Sequence, residues 1–350
     1  MHPHTISTIY NDGQYLGWPT IARHPVTGRL FVAFSGQRKA HVCPFGRVML
    51  ITSDDDGTTW SQPTVLTNGP LDDRDAGLCI TSRGTVIVNW FTSIAFARST
   101  WGKTQYPAEG AALTADCIGD ELGCWCRRSV DAGASFGDRI ETVANSPHGP
   151  CVLAGGRLLF IGKLTDDRAQ RMATGNGAPH STRFGCAVSD DDGMQWQLFC
   201  DGLPVVPGQD RAAYHEPHAV QCPSGRIVAQ IRNHNEPGFG TWQMESADGG
   251  ATWTVPHHVC AGFPSHLLAL RDGRLLMSYS YRADPFSNLA RVSSDEGATW
   301  SAPFVFGPAR PVDMGYPSTV ELGDGTLASV WYEAVSGVPR AVLRMARWSL

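Results

Sequence analysis

A short motif, Ser-x-Asp-x-Gly-x-x-Trp, occurs four times along this chain of 350 residues, and a fifth copy has Phe in place of Trp. The Ser and Asp side chains can hydrogen-bond the amides of a tight turn, Gly takes a left-handed conformation, and the aromatic ring buries against sheet. Because the motif recurs, we interpret its aspartates as structural rather than catalytic. The copies begin at Ser53, Ser129, Ser189, Ser246 and Ser293.

A second repeat is a glycine hairpin turn followed by an alternating or apolar strand, and it occurs six times at intervals of 48 to 72 residues. Together the two repeats predict an all-β fold, a six-bladed β-propeller with four-stranded antiparallel blades. We expect one domain over residues 1–350, with Thr5–Ile9 as the outer strand that closes the last blade. The turn glycines are Gly28, Gly84, Gly156, Gly225, Gly273 and Gly325.

Charge and composition limit the classes of binding partner and the cellular location that we expect. With 28 Lys and Arg against 33 Asp and Glu, the net charge of −5 disfavours nucleic acid and anionic membrane. No apolar run is long enough to span a membrane, and Met1–Ile9 lacks the pattern of a secretory signal. We therefore expect a cytoplasmic monomer, with secretion left open if the sequence is a processed form.

The ten cysteines form no Cys-x-x-Cys pair and lie in apolar runs, so we expect reduced core thiols, no metal and no cofactor. A metal or redox cluster remains an alternative for three neighbouring thiols, those of Cys117, Cys124 and Cys126, although their spacing fits no standard zinc pattern.

Residues at the start of each innermost strand converge on one mouth of a propeller. Four such starts share a proline eight or nine residues before the turn glycine, and the residue before that proline varies. A varying residue in a fixed frame indicates that its side chain serves function. The variable residues are Trp18, Glu216, Phe263 and Tyr316; blade two offers Asp75 at this position, and blade three Gly149 or Pro150.

The second strand of each blade returns to the same mouth. Its end carries a cation in four blades and a carboxylate in the sixth, which predicts a site for an anionic ligand in a chain of negative net charge. Arg suits a carboxylate because its fork donates two parallel hydrogen bonds. These residues are Arg38, Lys163, Arg232, Arg282 and Glu333.

These motifs resemble the sialidase (neuraminidase) superfamily of glycoside hydrolases, in which the five-copy motif is the Asp box or BNR repeat. The segment from Ala33 to Arg38 is similar to the family's Ala-Phe-x-Glu-Gln-Arg. His215-Glu216 followed by Ile231-Arg232-Asn233 resembles the blade-four motif Asn-Glu…Asn-x-Arg. The segments at Tyr316-Pro317-Ser318 and Trp331-Tyr332-Glu333 resemble blade six of the family.

The resemblance implies roles for these residues. Tyr316 is the expected nucleophile and Glu216 assists it, while Arg232 and Arg282 bind the carboxylate of the sugar. Glu333 is expected to support the arginine cluster. A neutral phenol suits an anionic substrate, because a carboxylate nucleophile would be repelled by it.

Two departures from the family pattern leave alternatives open. The family's first-blade Arg-Ile-Pro is here Gly17-Trp18-Pro19, so either Arg38 or Arg74 is a candidate for the lost arginine, and Trp18 is a candidate substrate contact. The stretch 39–43 contains no carboxylate where the family has its acid/base Asp. The candidates for the proton donor are His41, Asp73 and Asp75.

The sequence thus predicts a retaining exo-glycosidase for a glycan with a terminal acidic sugar. The alternatives are a propeller glycosidase for a uronic or neutral sugar, a polysaccharide lyase using His and Tyr, and an inactive lectin. We expect the long segments 96–120 and 165–181 to be loops that border the site.

Overall fold

Six antiparallel sheets follow one another along the chain and form the six blades of a propeller, which confirms the predicted fold. The computed structural model describes residues 3–98, 106–174, 180–307, 313–338 and 340–350. Each blade has four strands from the axis outwards, and in blade three the innermost strand is split into two short pieces.

The strands of each blade follow in order from the axis outwards. Blades one and two are Tyr15–Arg23, Leu30–Arg38, Arg47–Ser53 and Thr64–Val65, then Asp72–Ile80, Val86–Ser93, Cys124–Ser129 and Ile140–Glu141. Blades three and four are Ala144–Asn145 with Cys151–Val152, Leu158–Thr165, His180–Ser189 and Gln197–Asp201, then Tyr214–Gln221, Ile227–Asn233, Gly240–Ser246 and His257–Cys260. Blades five and six are Ser265–Ala269, Leu275–Tyr281, Ser287–Ser293 and Phe304–Gly307, then Met314–Glu321, Leu327–Val335, Arg340–Trp348 and Pro3–Tyr10.

The ring closes through the N-terminal strand, as the sequence predicted. Pro3–Tyr10 pairs antiparallel with Arg340–Trp348, with Ser7 opposite Met345. Each pair of neighbouring blades buries an apolar cluster; between blades six and one, for example, Val330 and Leu343 join Leu16 and Val32. Apolar burial at every interface of the ring is the main force that holds the blades together.

The Asp-box turns lie at the end of the third strand in blades one to five, on the face opposite the mouth. Ser53 Oγ donates a hydrogen bond to Asp55 at 2.7 Å, and Asp55 accepts the Thr59 amide at 2.8 Å. The Thr59 amide and hydroxyl and the Ser53 hydroxyl lower the pKa of Asp55 to about 2. Gly57 has a φ of 86°, and a Cβ there would lie 2.7 Å from the Met345 side chain of the preceding blade, so glycine is favoured at this turn.

Replacing Asp55 by Asn should lower the melting temperature and leave turnover of the folded protein nearly unchanged. Asn keeps the size of the side chain but replaces one of the two accepting carboxylate oxygens with an NH₂ donor. Thermal melts and initial rates check this, with Asp56→Asn in the same turn as the control. A hundredfold loss of rate at full stability would contradict the structural role.

Short helices occupy much of the two segments that were expected to be loops. They are α1 (Ala95–Arg98), α2 (Pro107–Ala111), α3 (Ala115–Glu121) and α4 (Arg168–Thr174). A separate 3₁₀ turn, Arg211–Ala213, precedes the innermost strand of blade four. Arg168 of α4 bonds Asp120 of α3 at 2.7 Å. Residues 99–105 and 175–179 of these segments lie outside the described residues. Within the described ranges no helix is long and apolar enough to cross a membrane.

The cysteines are all free. Burial raises the pKa of both Cys124 and Cys126 to about 12, which keeps these thiols protonated and unreactive near neutral pH. Across the described residues, no group of three or more His, Cys, Asp or Glu side chains is arranged to hold a metal ion.

Candidate active site

The innermost strands share an unusual backbone at the mouth. In five blades a non-glycine residue there has a positive φ, a rare conformation that persists only where the surroundings hold it in place. The sequence frame predicted this position in four blades, whereas in blade three the residue is His148 rather than Gly149 or Pro150. These residues are Trp18 (52°), Asp75 (50°), His148 (76°), Glu216 (54°) and Tyr316 (55°).

Tyr316 and Glu216 meet at the mouth although they are a hundred residues apart. The Tyr316 hydroxyl donates a hydrogen bond to Glu216 Oε1, and Arg232 Nη1 donates to Glu216 Oε2 at 2.9 Å. Burial alone would raise the pKa of Glu216, but Arg232 and the Tyr316 hydroxyl outweigh it and lower that pKa to about 2. Burial, Glu216 and Asp75 raise the pKa of Tyr316 well above its usual value, so the phenol is protonated at rest.

Arg232 and Arg282 lie on an aromatic platform. Their guanidinium carbons are 4.4 and 5.6 Å from the centre of the Phe263 ring, and that of Arg282 is 5.5 Å from the Tyr316 ring. A Cβ on Gly315 would lie 2.3 Å from Arg282 Nη2, so only glycine lets this guanidinium approach the strand. The two arginines remain partly open, with 15% and 21% of their side chains exposed.

A polar group that the sequence reasoning missed borders these arginines. Asp313 accepts hydrogen bonds from Tyr332 at 2.8 Å and Tyr15 at 3.0 Å, and lies 3.9 Å from Arg282. Since the Tyr15 hydroxyl donates its single proton to Asp313, its 2.9 Å bond to His41 uses the Nδ1 proton of His41. The sequence contains one signal for Asp313, which is its position two residues before Gly315 at the start of the innermost strand of blade six.

His41 itself is neutral in this setting. Partial desolvation and then Arg74 lower its pKa to about 3, against the opposing effect of Asp313, while 46% of the side chain stays exposed. Its Nδ1 proton is engaged by Tyr15, which leaves Nε2 as a hydrogen-bond acceptor.

Glu333 does not face the arginine cluster. Its carboxylate lies 3.7 Å from Arg344 and accepts the Trp331 indole N–H at 3.3 Å, whereas the preceding Tyr332 points to the mouth. Successive side chains of a strand point to opposite faces, so the carboxylate near Arg282 is Asp313 rather than Glu333. Lys163 is also engaged, since its ammonium donates to the Ala212 carbonyl at 3.2 Å.

The two candidate replacements for the lost arginine differ in exposure. Arg38 is fully buried and binds both oxygens of Asp72, at 2.5 and 2.9 Å. Arg74 bonds the same carboxylate at 3.2 Å and the His41 carbonyl at 2.8 Å, with 11% of its side chain exposed. Trp18 is only 1% exposed and lies beneath the Arg74 guanidinium at 4.1 Å, so it supports Arg74 instead of lining the open pocket.

The two candidate aspartates point in different directions. Asp73 accepts a hydrogen bond from Thr67, away from the mouth. Asp75 is buried at the mouth with its Oδ1 unpartnered among the described residues. Burial, opposed by Arg74 and reinforced by Glu216, raises the pKa of Asp75 to about 7.

Three histidines close the axis below the mouth. The rings of His218 and His266 stack at 4.5 Å, and the His148 ring lies 6.3 Å from that of Tyr316. A cavity of about 530 Å³ reaches these histidines from the opposite face. These three histidine side chains are buried and line the inner end of that cavity.

Comparisons with known proteins agree with this architecture. The family described as BNR repeat-like domain matches residues 127–328. No curated protein sequence matches the chain. Among solved structures, a protein of unknown function from Dyadobacter fermentans is 22% identical, with a TM-score of 0.76 over 100% of this chain and 99% of that chain.

Two glycan-active enzymes have the same fold at lower identity. The intramolecular trans-sialidase of Ruminococcus gnavus, solved with oseltamivir carboxylate, is 14% identical, with a TM-score of 0.66 over 98% of this chain and 97% of that chain. The α-L-arabinanase of Penicillium chrysogenum, solved with arabinobiose, is also 14% identical, with a TM-score of 0.64 over 100% and 99%.

Proposed function

Because the chain belongs to the BNR repeat-like domain family, as its repeated turns indicated, we propose that it is an exo-acting glycoside hydrolase that removes a terminal acidic sugar. The substrate class is sialic acid or a related keto-sugar acid, and the reaction retains the anomeric configuration. The observation that carries this proposal is the hydrogen bond from Tyr316 to Glu216 beside two partly open arginines, Arg232 and Arg282.

The chemistry proceeds in two displacements. In the first, the Tyr316 oxygen bonds to the anomeric carbon as the bond to the leaving oxygen breaks; Glu216 takes the phenolic proton and an acid protonates the leaving oxygen. In the second, water attacks the anomeric carbon as the bond from that carbon to the Tyr316 oxygen breaks; the conjugate base of the acid takes a proton from the water, and Glu216 returns its proton to the Tyr316 oxygen. Two displacements at one carbon restore its configuration.

Substrate binding itself makes Glu216 a better base. In the free protein Arg232 is a main reason for the low pKa of Glu216. A substrate carboxylate that accepts a hydrogen bond from Arg232 shares that positive charge, which raises the pKa of Glu216 and favours transfer of the phenolic proton. The nucleophile is therefore activated mainly when an acidic sugar is in place.

Asp75 is the best candidate for the acid. It is at the mouth, has an unpartnered oxygen, and holds a proton up to about pH 7, whereas His41 is neutral and Asp73 points away. A general acid must carry its proton at the working pH, which His41 does not.

The leaving group tests this assignment. Asp75→Asn should lower kcat/KM for alkyl and sugar glycosides by about 10²- to 10⁴-fold, while kcat/KM for aryl glycosides, which leave without protonation, should change little. In the parent protein, kcat/KM for unactivated glycosides should fall above about pH 7 as Asp75 loses its proton. Asp73→Asn is the matched control, because burial also raises the pKa of Asp73 to about 7. A loss confined to His41→Gln would assign the proton to His41 instead.

Aryl glycosides of sialic acid, other nonulosonic acids, deoxyoctulosonic acid and uronic acids test the function directly, with neutral aryl hexosides as controls. We expect turnover of an acidic member only, and NMR of the first-formed product should detect the retained anomer. Turnover of the neutral controls alone, or an inverted product, would overturn the proposal.

One observation favours a second candidate, a polysaccharide lyase. Neutral His41 bonded to Tyr15 is a base and acid pair of the kind that eliminates across a uronic acid ring. Elimination creates a double bond that absorbs in the ultraviolet, whereas hydrolysis does not. An absorbing product from a uronate polysaccharide would replace the hydrolase proposal with this one.

A further inference from the structure

The pocket lacks the first-blade arginine that an acidic-sugar site of this type is expected to have, because Gly17 stands in its place. The following inference rests on the proposed function and concerns how the site compensates. Two cations lie near the gap, Arg38 and Arg74, and both guanidinium carbons are within 5 Å of the Trp18 ring, at 4.7 and 4.1 Å.

Arg38 is committed to the protein. Its two Nη atoms hold both oxygens of the fully buried Asp72, and they also bond Ser35 Oγ and the His41 carbonyl, at 2.9 and 2.8 Å. Its side chain has no exposed surface. A ligand could reach Arg38 only by breaking this buried ion pair, and the loss of one partner of a buried pair is strongly unfavourable.

Arg74 keeps its binding capacity. Both of its hydrogen bonds within the described part of the chain use Nη1, which leaves Nη2 and Nε available. Asp72 neutralises one of the two arginines and is held in bidentate fashion by Arg38, so a net positive charge remains at Arg74. Its exposed fraction, 11%, is close to the 15% of Arg232 and far from the 0% of Arg38.

Ring contacts connect both Arg74 and Arg282 to Tyr316. The Trp18 ring that carries Arg74 lies 6.4 Å from the Tyr316 ring, edge to face, and Arg282 lies 5.5 Å from the centre of that same tyrosine ring. Both Arg74 and Arg282 are also near enough to His41 to lower its pKa.

We propose that Arg74, supplied by blade two and held flat on Trp18, is the third anion-binding arginine of this pocket. Trp18 is a positioning residue in this arrangement, since it fixes the plane of the guanidinium without touching the ligand. The carboxylate of the acidic sugar then lies between Arg74 on one side and Arg232 with Arg282 on the other. The pocket selects sugars whose acid group sits directly on the anomeric carbon, next to Tyr316.

Calorimetric binding to a Tyr316→Phe background tests this, because it separates binding from turnover. The probes are the 2,3-didehydro analogue of N-acetylneuraminic acid, the same analogue of deoxyoctulosonic acid, and the methyl ester of each. We expect Arg74→Gln to weaken binding of the acids about tenfold or more, with a much smaller effect on the esters. Arg74→Lys keeps the charge but loses the fork, so its effect should be intermediate.

The control is Arg29→Gln, an arginine on the opposite face that is bonded to Asp54. Melting curves identify any variant that fails to fold, and Arg74→Lys then decides the result. If the background protein binds an acid and Arg74→Gln and Arg74→Lys bind it equally well, the inference is overturned while the proposed function stands. If the background protein binds neither acid, the proposed function itself is overturned and this inference with it.

Discussion

Tyr316→Phe is expected to abolish most hydrolysis of an acidic aryl glycoside, lowering kcat by about a thousandfold or more, because it removes the oxygen that is the proposed nucleophile. Phe keeps the ring that packs against Trp18 and lies beneath Arg282. Binding of the acid should therefore survive within a few-fold. Steady-state rates and calorimetry on the same preparation measure both quantities.

Tyr279→Phe is the matched control for this change. It also removes one partly buried hydroxyl with a charged partner, since Arg291 donates to Tyr279 at 3.1 Å, but its ring packs in the apolar cluster between blades four and five. We expect its rate to stay near that of the parent. If Tyr316→Phe kept more than a tenth of the parent rate, the covalent mechanism would be refuted.

Arg232→Gln has the second largest expected effect, because Arg232 serves both the ligand and Glu216. Loss of a charged hydrogen bond to the substrate carboxylate should lower kcat/KM by about a hundredfold, equal to about 3 kcal/mol of transition-state binding. The ion pair that lowers the pKa of Glu216 also disappears, so burial raises that pKa. The acid limb of the pH profile should therefore move to higher pH.

The stability of this variant must be measured alongside its rate, since Glu216 is left buried without its ion-pair partner. Arg282→Gln provides a second variant with a smaller folding cost, because its carboxylate partner Asp313 is 3.9 Å away and 43% exposed. Arg226→Gln, at the hairpin turn of the same blade, controls for loss of a charge. Parent-like kcat/KM in both Arg232→Gln and Arg282→Gln would exclude an anion site at this mouth.

Local signals in the sequence were sufficient for the architecture. Turn glycines, Asp boxes and strand alternation act within a few residues, so their repetition gives the blade count without any knowledge of distant contacts. The same regularity places Pro217 and Pro317 at equivalent distances from their turn glycines. It therefore predicted that Glu216 and Tyr316, the residues before these prolines, lie at the same mouth of the propeller. Their hydrogen bond follows from equivalent positions in a symmetric ring.

The directions of individual side chains were decided only by the tertiary structure. A bulge shifts the pairing between Arg74 and Gly77, and a shift of one residue moves a side chain to the opposite face. The different orientations of Asp73 and Asp75 could not be derived from strand alternation alone for this reason. Glu333 and Tyr332 are adjacent in sequence, yet only Tyr332 reaches the mouth.

Burial was the other property that the sequence left open. Arg38 and Arg74 are both arginines near the mouth, and what separates them is that Arg38 has no exposed surface while Arg74 has some. Exposure depends on how Trp18 of blade one packs against Arg74 of blade two, a contact between segments more than fifty residues apart. Short-range patterns thus determined the ring and its mouth, whereas packing between blades decided which charges face the ligand, because desolvation is set by all neighbours at once.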